Sequence, residues 1–296
     1  MHTATAIILV GPTASGKTEM AIQLAQRLNT NIISADARQC YIELNIGVAK
    51  PTPEQLKIIA HHFINTYHIT EMVNAAIFEQ YALQVANQYF QQHKPIVITG
   101  GTGLYIKTFC EGLDNIPTVP NDIQATIRKT YEEKGIAWLQ KELTEKDSTF
   151  AQKDGMQNPR RMLRALEVVT YTGKSIRTFQ TGKKQERLFR IIKFGLDWPR
   201  EELYNRINKR VDMMIEKGLI EEVKSLLPYK SLPALQTVGY TELFEYFERN
   251  ISLDKAIERI KQNTRHYAKR QLTWFKKDPS IQWVKANDWE KVHQLI

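Results

Sequence analysis

Eight consecutive residues, Gly11-Pro12-Thr13-Ala14-Ser15-Gly16-Lys17-Thr18, satisfy the pattern G-x-x-x-x-G-K-[ST], the signature of nucleotide-binding, ATP-binding P-loops. The chemistry is anion capture. Glycines let consecutive backbone N–H groups turn inward around phosphate oxygens, and the following helix adds the partial positive charge of its N-terminus. Lys17 supplies a point charge, and the Thr18 hydroxyl can ligate Mg²⁺. The pattern leaves open whether the bound diphosphate belongs to a nucleotide or to another molecule.

A second segment, Ser34-Ala35-Asp36-Ala37-Arg38-Gln39, carries a carboxylate at the end of a short apolar run. In an open α/β sheet that edge is where ligands bind. Asp36 can there hold Mg²⁺ or accept a proton; capping a turn is the alternative. A third apolar run leads into Gly100-Gly101-Thr102-Gly103 without the acidic residue that many nucleotide hydrolases place there, which weakens a simple ATPase reading.

Basic residues supply the other half of a site. Arg160, Arg161 and Arg164 follow Asn158-Pro159 and share one helical face, and Lys261, Arg265 and Lys269 form an i, i+4, i+8 stripe. Either face can track a nucleic-acid backbone, with a solvated surface as the alternative. Arg206 and Arg210, also four apart, are spaced to clamp a leaving diphosphate.

These groups must be positioned by regular elements. Ala6–Val10 reads as a buried strand that runs into the phosphate loop. Ala21, Leu24, Ala25 and Leu28 recur at helical spacing behind it. Ile32–Ser34 and Pro95–Thr99 read as further strands, with a helix through Phe78, Ala82, Val85 and Tyr89 between them. Strands alternating with helices predict an α/β fold, a P-loop NTPase-like parallel sheet wound with helices. From Asp122 to Phe189 no buried strand is evident. Asn158 as N-cap, Pro159 at the first position and Gly173 as stop mark one helix there. Ile191–Leu196 reads as a strand returning to the sheet. Leu203, Ile207, Val211 and Met214 mark a helix ending at Gly218, and a last long helix from Ser252 to about Lys277 is expected to turn Ile257, Ile260 and Tyr267 inward. The expected division is residues 1–117 and 191–296 as the P-loop core, with an inserted all-helical domain at 118–190.

The chain has 296 residues, 42% of them apolar and 25% charged, in the range of ordinary globular proteins. Its longest aliphatic run, Ala6–Val10, is too short to span a membrane, and no signal-peptide pattern precedes Gly11, so a cytoplasmic protein is expected. Cys40 and Cys110 are expected as buried thiols, and no Cys or His set has zinc-ligand spacing. His61 and His62 point to opposite faces of an extended chain, which argues against a metal pair. The net charge of +9 is uneven. Residues 118–193 hold 16 basic and 9 acidic groups, against 7 and 8 in residues 1–117 and 18 and 15 in residues 194–296. A phosphate-rich macromolecule suits such a middle segment.

These residues resemble the bacterial tRNA dimethylallyltransferases, or tRNA isopentenyltransferases, over nearly the whole chain. The likeness rests on GPTASGKT at 11–18, SADARQ at 34–39, GVAKPT at 47–52 and GGTGLY at 100–105. RRMLRALEV at 160–168, GLDWPREELYNRINKRVDMM at 195–214, VGYTEL at 238–243 and NTRHYAKRQLTWF at 263–275 complete it. The resemblance implies transfer of a dimethylallyl group from dimethylallyl diphosphate, with Mg²⁺, to N6 of the adenosine 3′ to a tRNA anticodon, position 37. It implies that the loop from Gly11 to Thr18 holds the prenyl diphosphate and that Asp36 is the base. It also implies that Asp36, Ala37, Arg38, Gln39 and Thr102 touch the tRNA. The inserted domain, with Arg160, Arg161 and Arg164, would then grip the anticodon stem-loop, and Arg206 and Arg210 the diphosphate, in a monomer. Two positions depart from the family pattern: Ala37 stands where serine is usual and Cys40 where an aliphatic residue is usual. A small-molecule kinase and an RNA-binding P-loop ATPase are the competing classes.

Overall fold

The structure, a computed structural model, describes residues 4–153, 155–285, 288 and 292. The chain divides into two compact units, one of residues 1–111 with 186–296 and the other of residues 112–185.

In the first unit six strands, β1 (Thr5–Val10), β2 (Ile32–Ser34), β3 (His61–His62), β4 (Ile96–Gly100), β5 (Arg190–Asp197) and β6 (Ile281–Lys285), form one sheet in the order β3-β2-β4-β1-β5-β6. All described pairings are parallel. Strand β1 lies between β4 and β5, with Ile7 opposite both Val97 and Ile192. Its residues are apolar on both faces because both are covered, the usual state of a parallel strand. Ala6, Ile8 and Val10 enter one core with Phe78, Ile106 and Phe109. Ile7 and Leu9 enter the other with Met20, Leu24 and Phe194. The α/β expectation is met.

Four helices belong to the first half of this unit: α1 (Lys17–Arg27), α2 (Pro53–Ile58), α3 (Ala75–Gln91) and α4 (Gly103–Glu111). The second unit contains α5 (Asn121–Lys146), α6 (Ser148–Lys153), α7 (Pro159–Thr172) and α8 (Ile176–Phe179), packed around Leu139, Leu143, Met162 and Leu166. Helix α5 breaks at Gly135, whose φ of 72° is non-helical. Helix α7 has the anticipated ends. The Asn158 side chain accepts from Arg161 N at 3.2 Å, and Gly173 closes the helix at φ 67°. The chain then returns to the first unit with α9 (Arg200–Glu216), α10 (Leu219–Ser225), α11 (Tyr240–Phe247) and α12 (Leu253–Phe275).

Three features differ from expectation. Strands β3 and β6 had no sequence signal. Tyr267 is 37% exposed and lines a cavity rather than packing into the core, while Ile260 is buried as foreseen. The division shifts at both ends: residues 112–117 belong to the helical unit, and residues 186–190 to the first unit, where Arg187 donates to the carbonyls of Phe109 and Thr108 at 2.9 and 2.8 Å and pairs with Glu79 at 2.5 Å. Both cysteines are free and buried, as expected. No helix among the described residues is long and apolar enough to cross a membrane.

Candidate active site at the carboxyl edge of the sheet

Strand β1 delivers the chain to the phosphate loop at the centre of the sheet edge, and Gly16, left-handed at φ 89°, turns it into α1. Ala14 is also left-handed, at φ 64°. The loop is held from outside by side chains that follow β5 or lie on the last helix. Trp198 Nε1 donates to Ser15 O at 2.9 Å, and Arg206 Nε to Ala14 O at 2.8 Å. Arg210 donates to Thr13 Oγ1 at 3.2 Å, and Gln271 Oε1 accepts from Thr13 N at 2.8 Å. Arg206 also lies over the Trp198 ring, 4.4 Å from its centroid. The Lys17 ammonium folds back onto Pro12 O at 2.6 Å, and the buried Ser15 hydroxyl oxygen has no hydrogen-bond partner.

Two cations are withdrawn from solvent side by side here. Burial, and next the Arg210 charge, push the Lys17 ammonium down to about 7, against the opposing pull of Asp36. Arg210 is lowered as well, by burial and Arg206, with Asp36 again opposing. A diphosphate placed in the loop would relieve both cations.

Asp36 follows β2 and lines the same cavity, which has a volume of about 850 Å³. One carboxylate oxygen, Oδ1, accepts from Arg38 N at 2.9 Å and Gln39 N at 3.4 Å, so the turn-capping alternative is realised on that atom. The other oxygen is left for the cavity. The turn is fixed against β4, where Ala37 N donates to Thr102 Oγ1 at 3.0 Å and Thr102 N to Ala35 O at 3.1 Å. Gly100 is required by this closeness, since a Cβ there would lie 2.1 Å from Ala35 O. The Cys40 thiol, buried beneath the turn, is pushed up to about 12 by burial and Asp36, which keeps it protonated.

A family model described as IPP transferase matches residues 39–278. The chain belongs to the IPP transferase family. A tRNA dimethylallyltransferase 1 of Bacteroides thetaiotaomicron is 47% identical over 279 residues, covering 94% of this chain and 91% of the relative. A tRNA dimethylallyltransferase of Christiangramia forsetii is 46% identical, over 95% and 93%. Among solved structures, the full-length tRNA isopentenylpyrophosphate transferase of Bacillus halodurans superposes with a TM-score of 0.72 at 32% identity, covering 98% of this chain and 94% of its own. A eukaryotic dimethylallyltransferase acting on tRNA superposes with a TM-score of 0.81 at 26% identity, over 98% of this chain and 75% of its own.

In this IPP transferase the loop residues Thr13 to Thr18, together with Asp36, Gln39, Arg206 and Arg210, line one cavity. Arg38 is half-buried and reaches Gln236 O at 3.5 Å. The Gln39 side chain spends its N–H groups on Val48 O and Ala49 O at 3.2 and 3.1 Å. On α7, Arg160 and Arg161 are exposed, whereas Arg164 donates to Pro117 O at 3.2 Å and pairs with the buried Glu167 at 3.5 Å. Two of the three residues of the α12 stripe are engaged. Lys261 pairs with Asp212 of α9 at 2.8 Å and with Glu258 of α12 at 3.7 Å, and Arg265 donates to Asn208 of α9 at 2.7 Å, while Lys269 is exposed.

Sequence reasoning missed Gln271. Its Oε1 serves the phosphate loop, and its Nε2 donates to Gly101 O at 2.9 Å, so one buried amide ties the loop to the turn after β4. The available signal was a polar residue in register with the buried Ala268 and Phe275 of α12. Trp198 and the apolar wall formed by Ile46, Val48, Leu56, Met213 and Met214 were missed as well. No cluster of three His, Cys, Asp or Glu residues with metal-site geometry occurs among the described residues. A cation would rest on the Thr18 hydroxyl and the Asp36 carboxylate, with ligand phosphates completing its shell, a donor set that suits Mg²⁺.

Proposed function

We propose that this enzyme transfers a dimethylallyl group from dimethylallyl diphosphate to N6 of the adenosine at tRNA position 37, on the 3′ side of the anticodon, releasing diphosphate. One observation carries the proposal. The phosphate loop, the paired arginines of α9, a carboxylate and an apolar wall all line a single cavity. A prenyl diphosphate needs both halves, charge for its head and hydrocarbon for its tail. A kinase needs no apolar wall beside the loop.

The chemistry follows from the groups present. The N6 lone pair is delocalised into the adenine ring, so the amine is a weak nucleophile and the leaving group must be made good. N6 attacks C1 of the dimethylallyl group, the C1–O bond breaks, and its electron pair leaves on the diphosphate. Loop N–H groups, Lys17 and Arg210 stabilise that charge, each such preorganised donor being worth on the order of 10²–10³ in rate. Mg²⁺ held by Thr18 would add charge neutralisation. Asp36 takes the proton from N6, a step worth on the order of 10²–10⁴.

A stacked base hides its amino group, so the adenosine must be flipped into the cavity. The turn from Asp36 to Gln39 and the Thr102 hydroxyl, which accepts from Ala37 and keeps its own proton to donate, would meet its polar edge. Arg160 and Arg161 would contact the anticodon stem-loop backbone, with Arg164 shaping that surface through Pro117. Recognition would rest on RNA shape and stacking more than groove readout. A tRNA substrate fits action in the cytoplasm, and the enzyme is taken as a monomer.

The test is incubation with tRNA, labelled dimethylallyl diphosphate and Mg²⁺, with ATP omitted. Label is expected in the tRNA. Unlabelled tRNA together with ATP-dependent phosphorylation of a small acceptor, or ATP hydrolysis, would overturn the proposal.

A further inference from the structure

Ile46, Val48, Ala49 and Lys50 line the cavity, Ile46 and Val48 as part of its apolar wall and Lys50 as the one charged side chain of the stretch. The Lys50 ammonium is tied to Tyr41 O and to Asn65 Oδ1. The backbone of the stretch, however, is held by a charged group on another element. Glu222 of α10 accepts from Ile46 N on Oε2 at 2.7 Å, and on Oε1 from Gly47 N at 3.1 Å and the Tyr240 hydroxyl at 2.6 Å. Tyr240 is fully buried, and its ring lies so close to Gly47 that a Cβ there would be 2.6 Å from Cε2. Three donors on one carboxylate pin this turn against α10 and α11.

The turn then closes on itself, with Ala49 N donating to Ile46 O at 3.0 Å. That aims the carbonyls of Val48 and Ala49 at one acceptor-seeking group, the Gln39 amide. The other end of that amide, Oε1, accepts from Ser34 Oγ at 3.0 Å at the end of β2. The Gln39 backbone N–H is in turn one of the two that Asp36 Oδ1 accepts. An unbroken series of hydrogen bonds therefore runs from Glu222 to the turn that presents Asp36.

We infer that Glu222 is a positioning residue for the transfer: by holding Ile46 N and Gly47 N it fixes, through the Val48 and Ala49 carbonyls and the Gln39 amide, the turn that carries the base. A carboxylate suits the role because both of its oxygens accept. A glutamine offers one acceptor and turns an NH₂ toward the other backbone N–H, and an alanine offers none. The inference rests on the reading of Asp36 as base.

The experiment compares full-length wild type with Glu222→Gln and Tyr240→Phe by amide hydrogen exchange and by single-turnover transfer. Glu222→Gln is expected to speed exchange at Ile46 and Gly47 and also at Arg38 and Gln39. At saturating donor it should slow single-turnover transfer on the order of tenfold to 10²-fold, as small misplacements of a reacting group do. Tyr240→Phe, which keeps both backbone bonds, should slow it less. In a double-mutant cycle with Gln39→Ala the losses should be strongly non-additive, because both act through one series of bonds. Unchanged exchange at Arg38 and Gln39, or additive losses, would overturn the inference. A wild type without transfer activity would instead overturn the reading of Asp36, and the exchange measurement would still decide whether the relay exists.

Discussion

Lys17 shows how much of the site's function is stored as unfavourable electrostatics. Its ammonium is held at about 7 in the folded enzyme against an ordinary lysine value of 10.5, so between those pH values the unfolded chain binds more protons. Stability contributed by this group therefore rises with pH across that window, and the penalty is fully present below about pH 7. Lys17→Met is expected to raise Tm at pH 6 to 7, with the gain fading as pH approaches the upper limit; an unchanged or lowered Tm at pH 6 would contradict the assignment. The same replacement should weaken donor binding. In wild type, donor binding should take up a proton above about pH 7, read by calorimetry in buffers of different ionisation enthalpy. Anion capture by residues 11–18 was legible in the sequence because glycine spacing specifies it locally. The register of Gln271 with buried residues marked it as unusual, but its partners and those of Trp198 and Glu222 were not legible, because the hydrogen bonds that tie them to the site span 170 positions or more.

At the scale of elements, the two basic helices looked alike in sequence and differ in the structure. Helix α12 lies against α9, and Asp212 and Asn208 occupy Lys261 and Arg265, while Arg160 and Arg161 of α7 remain exposed. Arg160→Ala with Arg161→Ala is expected to lower tRNA affinity and flatten the salt dependence by about one unit of slope per lost phosphate contact. Lys261→Ala should leave that slope unchanged and cost about 0.2–1 kcal/mol of stability as a partly exposed ion pair. Equal slopes for both variants would restore a basic face on α12. The close approach of β2 and β4 makes a sharper claim. Gly100→Ala must push apart the Ala35 backbone and is expected to cost about 1–3 kcal/mol or more in denaturant unfolding. Strands β1, β2 and β4 were legible because burial makes them almost continuously apolar, and β5 because only Lys193 interrupts the run from Ile191 to Leu196. Strand β3 is two histidines, and β6 is a short edge strand with only Ile281 and Val284 buried, so neither has a pattern to read.

Across the whole molecule the charge map changes once the fold is known. Of the 16 basic groups in residues 118–193, Arg187, Arg190 and Lys193 belong to the sheet unit, and Arg187 and Lys193 are ion-paired there with Glu79 and Asp278. The helical unit keeps 13 basic and 9 acidic groups, a smaller excess presented partly by α7. Composition alone located the basic segment but could not separate paired from unpaired charge. If the RNA is gripped at that surface and reacts at the sheet edge, the two functions are separable by mutation. The most direct measurement is single-turnover transfer by Asp36→Ala, with enzyme in excess over tRNA, beside its tRNA affinity. The account predicts a rate lowered on the order of 10²–10⁴ with affinity nearly intact. A normal single-turnover rate accompanied by a large loss of tRNA affinity would contradict it.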